Sequence, residues 1–204
     1  MKNFSKFNQL WNQGKIKNPL VLLIGGYIGT GKSTFAKQVS ENIDNTTVLS
    51  TGILRAIYQS IMPVDKYPEV FRHTYDFYNK NEAFSYFTKQ TSIVQKGIER
   101  IIAFAYSEKQ HYIIEGNHVT PDFCVKMTEK YPVINVFFKV NNKEKYKKTI
   151  TGSTHFRNLS DAQLNIVYFF HDYFVSEVGK HKLSIFNYDQ TNEALKYVGE
   201  KLYV

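Results

Sequence analysis

The stretch Val21-Leu22-Leu23-Ile24-Gly25-Gly26-Tyr27-Ile28-Gly29-Thr30-Gly31-Lys32-Ser33-Thr34 decides the fold. From Gly26 it matches GxxxxGK[ST] in full, with an apolar run before it and a helix-like segment, 35–42, after it. A strand that turns through glycines into a helix is an anion site. Its backbone N–H groups turn inward, and the helix dipole favours negative charge. The pattern predicts a triphosphate-binding loop. Gly26, Gly29, Thr30, Gly31, Lys32, Ser33 and Thr34 are the expected ATP contacts. Lys32 is expected to face the β- and γ-phosphates and Ser33 to ligate Mg²⁺. Tyr27 and Ile28 occupy the variable positions and are assigned no chemistry.

Outward from this loop, short apolar or β-branched runs alternate with longer amphipathic stretches, the pattern of a parallel sheet with crossover helices. Strands are expected at 20–24, 46–49, 112–114, 133–140 and 183–186. Helices are expected at 33–42, 52–61, 81 to about 107, 121–130, 161–180 and 192–202. Ser160, with Gln163 three residues on, is a helix-start signal. Segment 62–80, with Pro63 and Pro68, reads as a substrate-side loop with a short helix. The expected fold is α/β: a P-loop kinase fold with a parallel sheet of about five strands, helices on both faces and a small helical lid. One domain is expected over 1–204, with 1–18 as an N-terminal extension and about 143–158 as the lid.

A P-loop needs an acid at the end of a neighbouring strand to position Mg²⁺. The run His111-Tyr112-Ile113-Ile114-Glu115-Gly116 supplies Glu115 at the carboxyl edge of a strand, where ligands bind in open α/β sheets. Asp189, after the last strand, is the competing acid.

The order of segments resembles that of archaeal-type 2-phosphoglycerate kinases, within the small P-loop metabolite kinases that include zeta-toxin-like enzymes. The resemblance rests on 22–36 (LLIGGYIGTGKSTFA), 48–55 (VLSTGILR), 71–75 (FRHTY), the helix 90–102, 115–121 (EGNHVTP) and 170–187, and so covers most of residues 20–202. It implies ATP-dependent phosphoryl transfer to a hydroxyl of a small anionic metabolite such as 2-phosphoglycerate. On this reading Lys32, Glu115 and Arg157 are the catalytic candidates, Arg157 as the lid cation. Ser33 and Glu115 are the metal candidates. Arg55, Arg72, His73 and His118 are the acceptor candidates, Arg55 because a planar fork grips phosphate or carboxylate bidentately. One position departs from the family pattern. Gly52 stands where an acid is usual, which leaves Glu115 as the candidate proton acceptor. A polynucleotide or nucleoside kinase and a non-catalytic nucleotide-binding module remain as alternatives.

Bulk properties agree. Apolar residues make up 43% of the 204, too many for a disordered chain, and Cys124 is the single cysteine, which excludes an internal disulfide and a cysteine-based zinc site. The net charge of +8 favours anionic partners; nucleic acid is one, although no basic-aromatic groove motif stands out. Neither a signal peptide nor a membrane-spanning run is legible, so the expected location is the cytoplasm, without a membrane. The oligomeric state is not legible.

Overall fold

The computed structural model describes residues 2–152 and 158–203. Its elements are α1 (Lys2–Asn12), β1 (Val21–Gly25), α2 (Lys32–Ser40), β2 (Thr46–Ser50), α3 (Thr51–Ile61), α4 (Pro68–Phe71), α5 (Lys80–Glu108), β3 (His111–Glu115), α6 (Pro121–Lys130), β4 (Ile134–Lys139), α7 (Lys143–Thr151), α8 (Asp161–Lys180), β5 (Ile185–Asn187) and α9 (Thr191–Lys201). The strands form one sheet in the order β2-β3-β1-β4-β5, every pairing parallel.

Helices cover both faces. β1 is buried along its whole length, and its side chains alternate between two cores. Val21 and Leu23 join Phe87, Val94 and Ile98 of α5, Met127 of α6 and Phe170 of α8. Leu22 and Ile24 join Phe35 and Val39 of α2, Val198 of α9, and Phe4 and Phe7 of α1. Ser160 and Gln163 cap each other at the start of α8, as their spacing predicts.

One element goes beyond the sequence reading. Residues 2–12, expected as part of an extension, form α1. Its apolar spacing buries Phe4 and Phe7, and Trp11 lies 4.4 Å from the ring of His111. Within the segment expected as a helical lid, residues 143–151 form the nine-residue helix α7, capped by Asn142 and anchored through buried Tyr146 and Ile150.

His111 accepts the Leu20 N–H through Nδ1 at 2.9 Å, and burial pushes its pKa down to about 4. Burial, reinforced by Arg55, pushes His118 down to about 3. Both lowered values mean that the fold prefers the neutral rings. Their contribution to stability is whole above the unfolded value near 6.5 and is lost as pH falls below it. With two sites, the unfolding free energy should fall by about 2–3 kcal/mol per pH unit once pH is well under 6.5. Urea denaturation across this range checks the slope, and a stability that stays flat down to about pH 5 contradicts it.

Candidate active site

The site is built from the carboxyl ends of β1, β2 and β3. Parallel register sets Ile24 beside Glu115, and Ser50 on the other side of Glu115. Beyond Gly25 the chain enters the P-loop at Gly26, whose φ of 128° favours glycine and whose missing Cβ leaves room for the Phe138 carbonyl. The loop closes at Gly31, φ 88°, and Lys32 opens α2.

Inside the loop the Tyr27 carbonyl accepts from Lys32 Nζ at 2.6 Å and from Thr30 Oγ1 at 2.9 Å. Ser33 Oγ donates to Glu115 Oε1 at 3.1 Å. Glu115 is therefore at the strand end where its sequence context put it, in contact with the residue expected to share a metal with it. Asp189 is exposed and bonded by the Asn187 amide, off the cleft.

The cleft over this loop has a volume of about 610 Å³, in the range of small-molecule sites. Lys32, Ser33 and Thr34 form one wall, and Ser50, Gly52, Glu115 and Asn117 another. α7 forms the roof: Tyr146 donates its hydroxyl to the Ile28 carbonyl at 2.8 Å, and Lys148 and Thr149 line the space. Among the described residues lining the cleft, Lys32 and Lys148 carry positive charge and Glu115 carries the negative charge. Arg157 lies outside the described residues. Ser50, Asn117 and Tyr188 are lining residues to which the sequence reading gave no role in the site, and Lys148, from the segment expected as the lid, lines it as well. The signal available for the first three was position: Ser50 and Asn117 flank strand ends, and Tyr188 follows β5 at the same sheet edge.

The acceptor candidates gather elsewhere, around segment 69–76. Arg55 donates to the carbonyls of Val70 and Arg72, both at 3.2 Å, and its other nitrogen lies 3.4 Å from His73 Nδ1. Its fork is engaged with the protein, so as it stands Arg55 shapes this segment instead of presenting a free clamp. Arg72 is exposed, its guanidinium 4.4 Å from the Phe77 ring centre, and His73 stacks on Tyr75. His118 does not reach the cleft. It is 2% exposed, and both ring nitrogens are used. The Gln90 amide nitrogen donates to the carbonyls of Glu69 and Arg72, which turns its oxygen toward His118 Nε2 at 3.0 Å. His118 Nε2 is therefore the protonated nitrogen, and Nδ1 accepts from Thr51 Oγ1 at 2.9 Å. The chain of bonds from Thr51 through His118 and Gln90 ties the cleft floor to segment 69–72. Gly116 leaves room for Thr51, since a Cβ there would collide with the Thr51 hydroxyl.

Comparison with known proteins agrees with this architecture. The 2-phosphoglycerate kinase of Methanopyrus kandleri is 26% identical over 213 aligned positions, which cover 95% of this chain and 65% of that protein. The 2-phosphoglycerate kinase of Pyrococcus horikoshii is 32% identical over 130 positions, covering 59% and 43%. The chain thus spans 43–65% of the length of these curated relatives. No protein-family model matches. A chain in the structure of the Pnkp1/Rnl/Hen1 RNA repair complex superposes with a TM-score of 0.50 at 16% identity, over 82% of this chain and 46% of that one, which shows a shared fold. The α/β P-loop kinase fold and the resemblance to archaeal 2-phosphoglycerate kinases both hold. No described helix is long and apolar enough to cross a membrane.

Proposed function

We propose that this chain is a kinase that transfers the γ-phosphate of ATP to a hydroxyl of a small anionic metabolite of the 2-phosphoglycerate type. The observation that carries the reading is the Ser33–Glu115 contact beside Lys32 in a glycine-lined cleft, in a chain whose relatives are 2-phosphoglycerate kinases. The donor set fits nucleotide and metal. A serine hydroxyl and a carboxylate are hard oxygen ligands of the kind Mg²⁺ takes, and a buried ammonium sits within the loop. Bound Mg²⁺ would neutralise charge on the phosphate oxygens.

The chain's own residues supply position and charge, which is most of what phosphoryl transfer needs. Lys32 exchanges the Tyr27 carbonyl for phosphate oxygens. Lys148, on the roof, is placed to face the same group. As the acceptor oxygen bonds to the γ-phosphorus, the bond to the β-phosphate oxygen breaks and the acceptor hydroxyl loses its proton. With glycine at 52, Glu115 is the carboxylate in the described cleft that can take that proton, directly or through water. Arg72 and His73 lie outside the described cleft, on the segment that Arg55 and Gln90 hold, and would meet the acceptor only at the cleft's outer end.

The deciding experiment is a phosphotransfer assay with MgATP over phosphoglycerates, nucleosides and short RNA. Transfer to 2-phosphoglycerate is expected. Transfer to RNA alone would replace the reading with a polynucleotide kinase, and ATP binding without any transfer would leave a binding module. A Cβ at Gly52 meets only Ser50 Oγ, at 3.4 Å, so Gly52→Asp is sterically allowed and should raise 2-phosphoglycerate turnover by restoring the family acid.

The metal assignment has its own test. Glu115→Gln keeps the shape and removes the charge, so the Mg²⁺ titration of activity should move to about 10-fold higher concentration or beyond, the usual cost of a lost metal-site partner. An unmoved titration would take Glu115 out of the metal site.

A further inference from the structure

α3 buries one side and leaves the other bare. Thr51 and Leu54 face the protein, while Ile53 is 58% exposed, Ile57 50% and Ile61 70%. These three lie at i, i+4 and i+8, a single ridge along the helix. Val64, just past the helix end, adds 57% exposure. Ala56 and Ser60 fill the gaps, so the face from 53 to 64 carries no charge between its apolar residues. The helix follows directly on β2, an edge of the sheet that among the described residues pairs with β3 alone.

We infer that this face binds a second copy of the chain across a two-fold axis beside Ile57. Three properties select that occupant. The first is charge: a chain of net charge +8 attracts an acidic protein or nucleic acid through cations, and this face has none, whereas two copies of so basic a chain approach best through an uncharged patch. The second is symmetry. A ridge centred on Ile57 is self-complementary when antiparallel, with Ile57 beside its counterpart and Ile53 near Ile61 of the other copy, as an isologous contact requires. The third is area. The exposed parts of Ile53, Ile57, Ile61 and Val64 sum to about 400 Å² of apolar surface, the size at which a monomer's largest patch is often functional. A standard interface buries about 800 Å² per partner, about 500 Å² of it apolar at the roughly 65% share of homodimers, and this ridge supplies most of that.

The test is the mass of the full chain in solution by sedimentation equilibrium. Wild type should be a dimer at about 100 μM. Ile57→Lys places two ammonium groups face to face at the axis and should weaken the dimer by about 100-fold or more, leaving a monomer of unchanged circular dichroism. Ile57→Leu keeps the ridge and should remain dimeric. Ile57→Ser removes the ridge centre without adding charge and should also weaken association, which separates lost packing from added repulsion. A monomeric wild type at about 100 μM, or a folded Ile57→Lys that dimerises as wild type does, overturns the proposal. So does a mass that keeps growing with concentration, because a two-fold face closes on itself.

Discussion

Lys32→Ala should lower phosphotransfer by about 10²-fold or more while the protein stays folded. Lys32 is 7% exposed and held within its own loop, its ammonium on the Tyr27 carbonyl at 2.6 Å. That holds a cation inside the loop before any phosphate arrives, one exchange of the Tyr27 carbonyl for a phosphate oxygen away from its working position, and removing a charge already held at the site is costly. The side chain contributes little to either apolar core, so stability should change far less than rate. Steady-state kinetics with saturating MgATP decide the point. Turnover within a few-fold of wild type would remove Lys32 from the reaction, and with it the P-loop reading of the cleft.

Tyr27→Ala should cost about 3–5 kcal/mol of stability, the range of large aromatic truncations in a core. The ring is fully buried, 4.9 Å from Phe170 in a stacked arrangement and 6.2 Å from Phe174. Its hydroxyl is hydrogen-bonded to Thr74, which is itself buried. One side chain thus joins the phosphate loop, α8 and segment 69–76. A loss of that size is a large part of the 5–15 kcal/mol that holds a typical domain. Tyr27→Phe keeps the ring contacts and loses only the hydrogen bond, so it should cost about 1–3 kcal/mol, mostly for the unpaired Thr74 hydroxyl. Urea denaturation separates the two variants. An alanine variant within about 1 kcal/mol of wild type would show that the pocket collapses around the gap.

The sequence reading assigned Tyr27 no role, because a motif records which positions of the loop touch phosphate and is silent about the outward side chains. Its burial comes from Phe170 and Phe174, more than 140 residues away in the chain. His118 shows the same gap in reverse. Three residues past a strand-end acid, it reads as a cleft residue. Yet the backbone at Gly116 turns it under Thr51, where Gln90 and Thr51 take both nitrogens. Arg55 was legible as a fork near the ligand edge, but not that the carbonyls of segment 70–72 would occupy it.

What the sequence determined by itself is everything encoded within a short window. The glycine pattern of 26–31 sets the loop, apolar runs bounded by glycine and acid set the strands, and Ser160 with Gln163 starts α8. Parallel strands with crossover helices then leave few possible topologies, which put Glu115 at the ligand edge in advance. Only the tertiary structure decided what depends on elements distant in the chain. It brought Glu115 within 3.1 Å of Ser33 across 82 residues, set Lys148 over the phosphate loop and folded α1 onto the core. It also turned Arg55 and His118 inward and left the isoleucine ridge of α3 bare. Local pattern fixes backbone geometry and strand ends, because these depend on propensities over a few residues. Which polar group meets which partner is settled by burial, where each donor and acceptor taken from water must find its match from whatever the fold brings near.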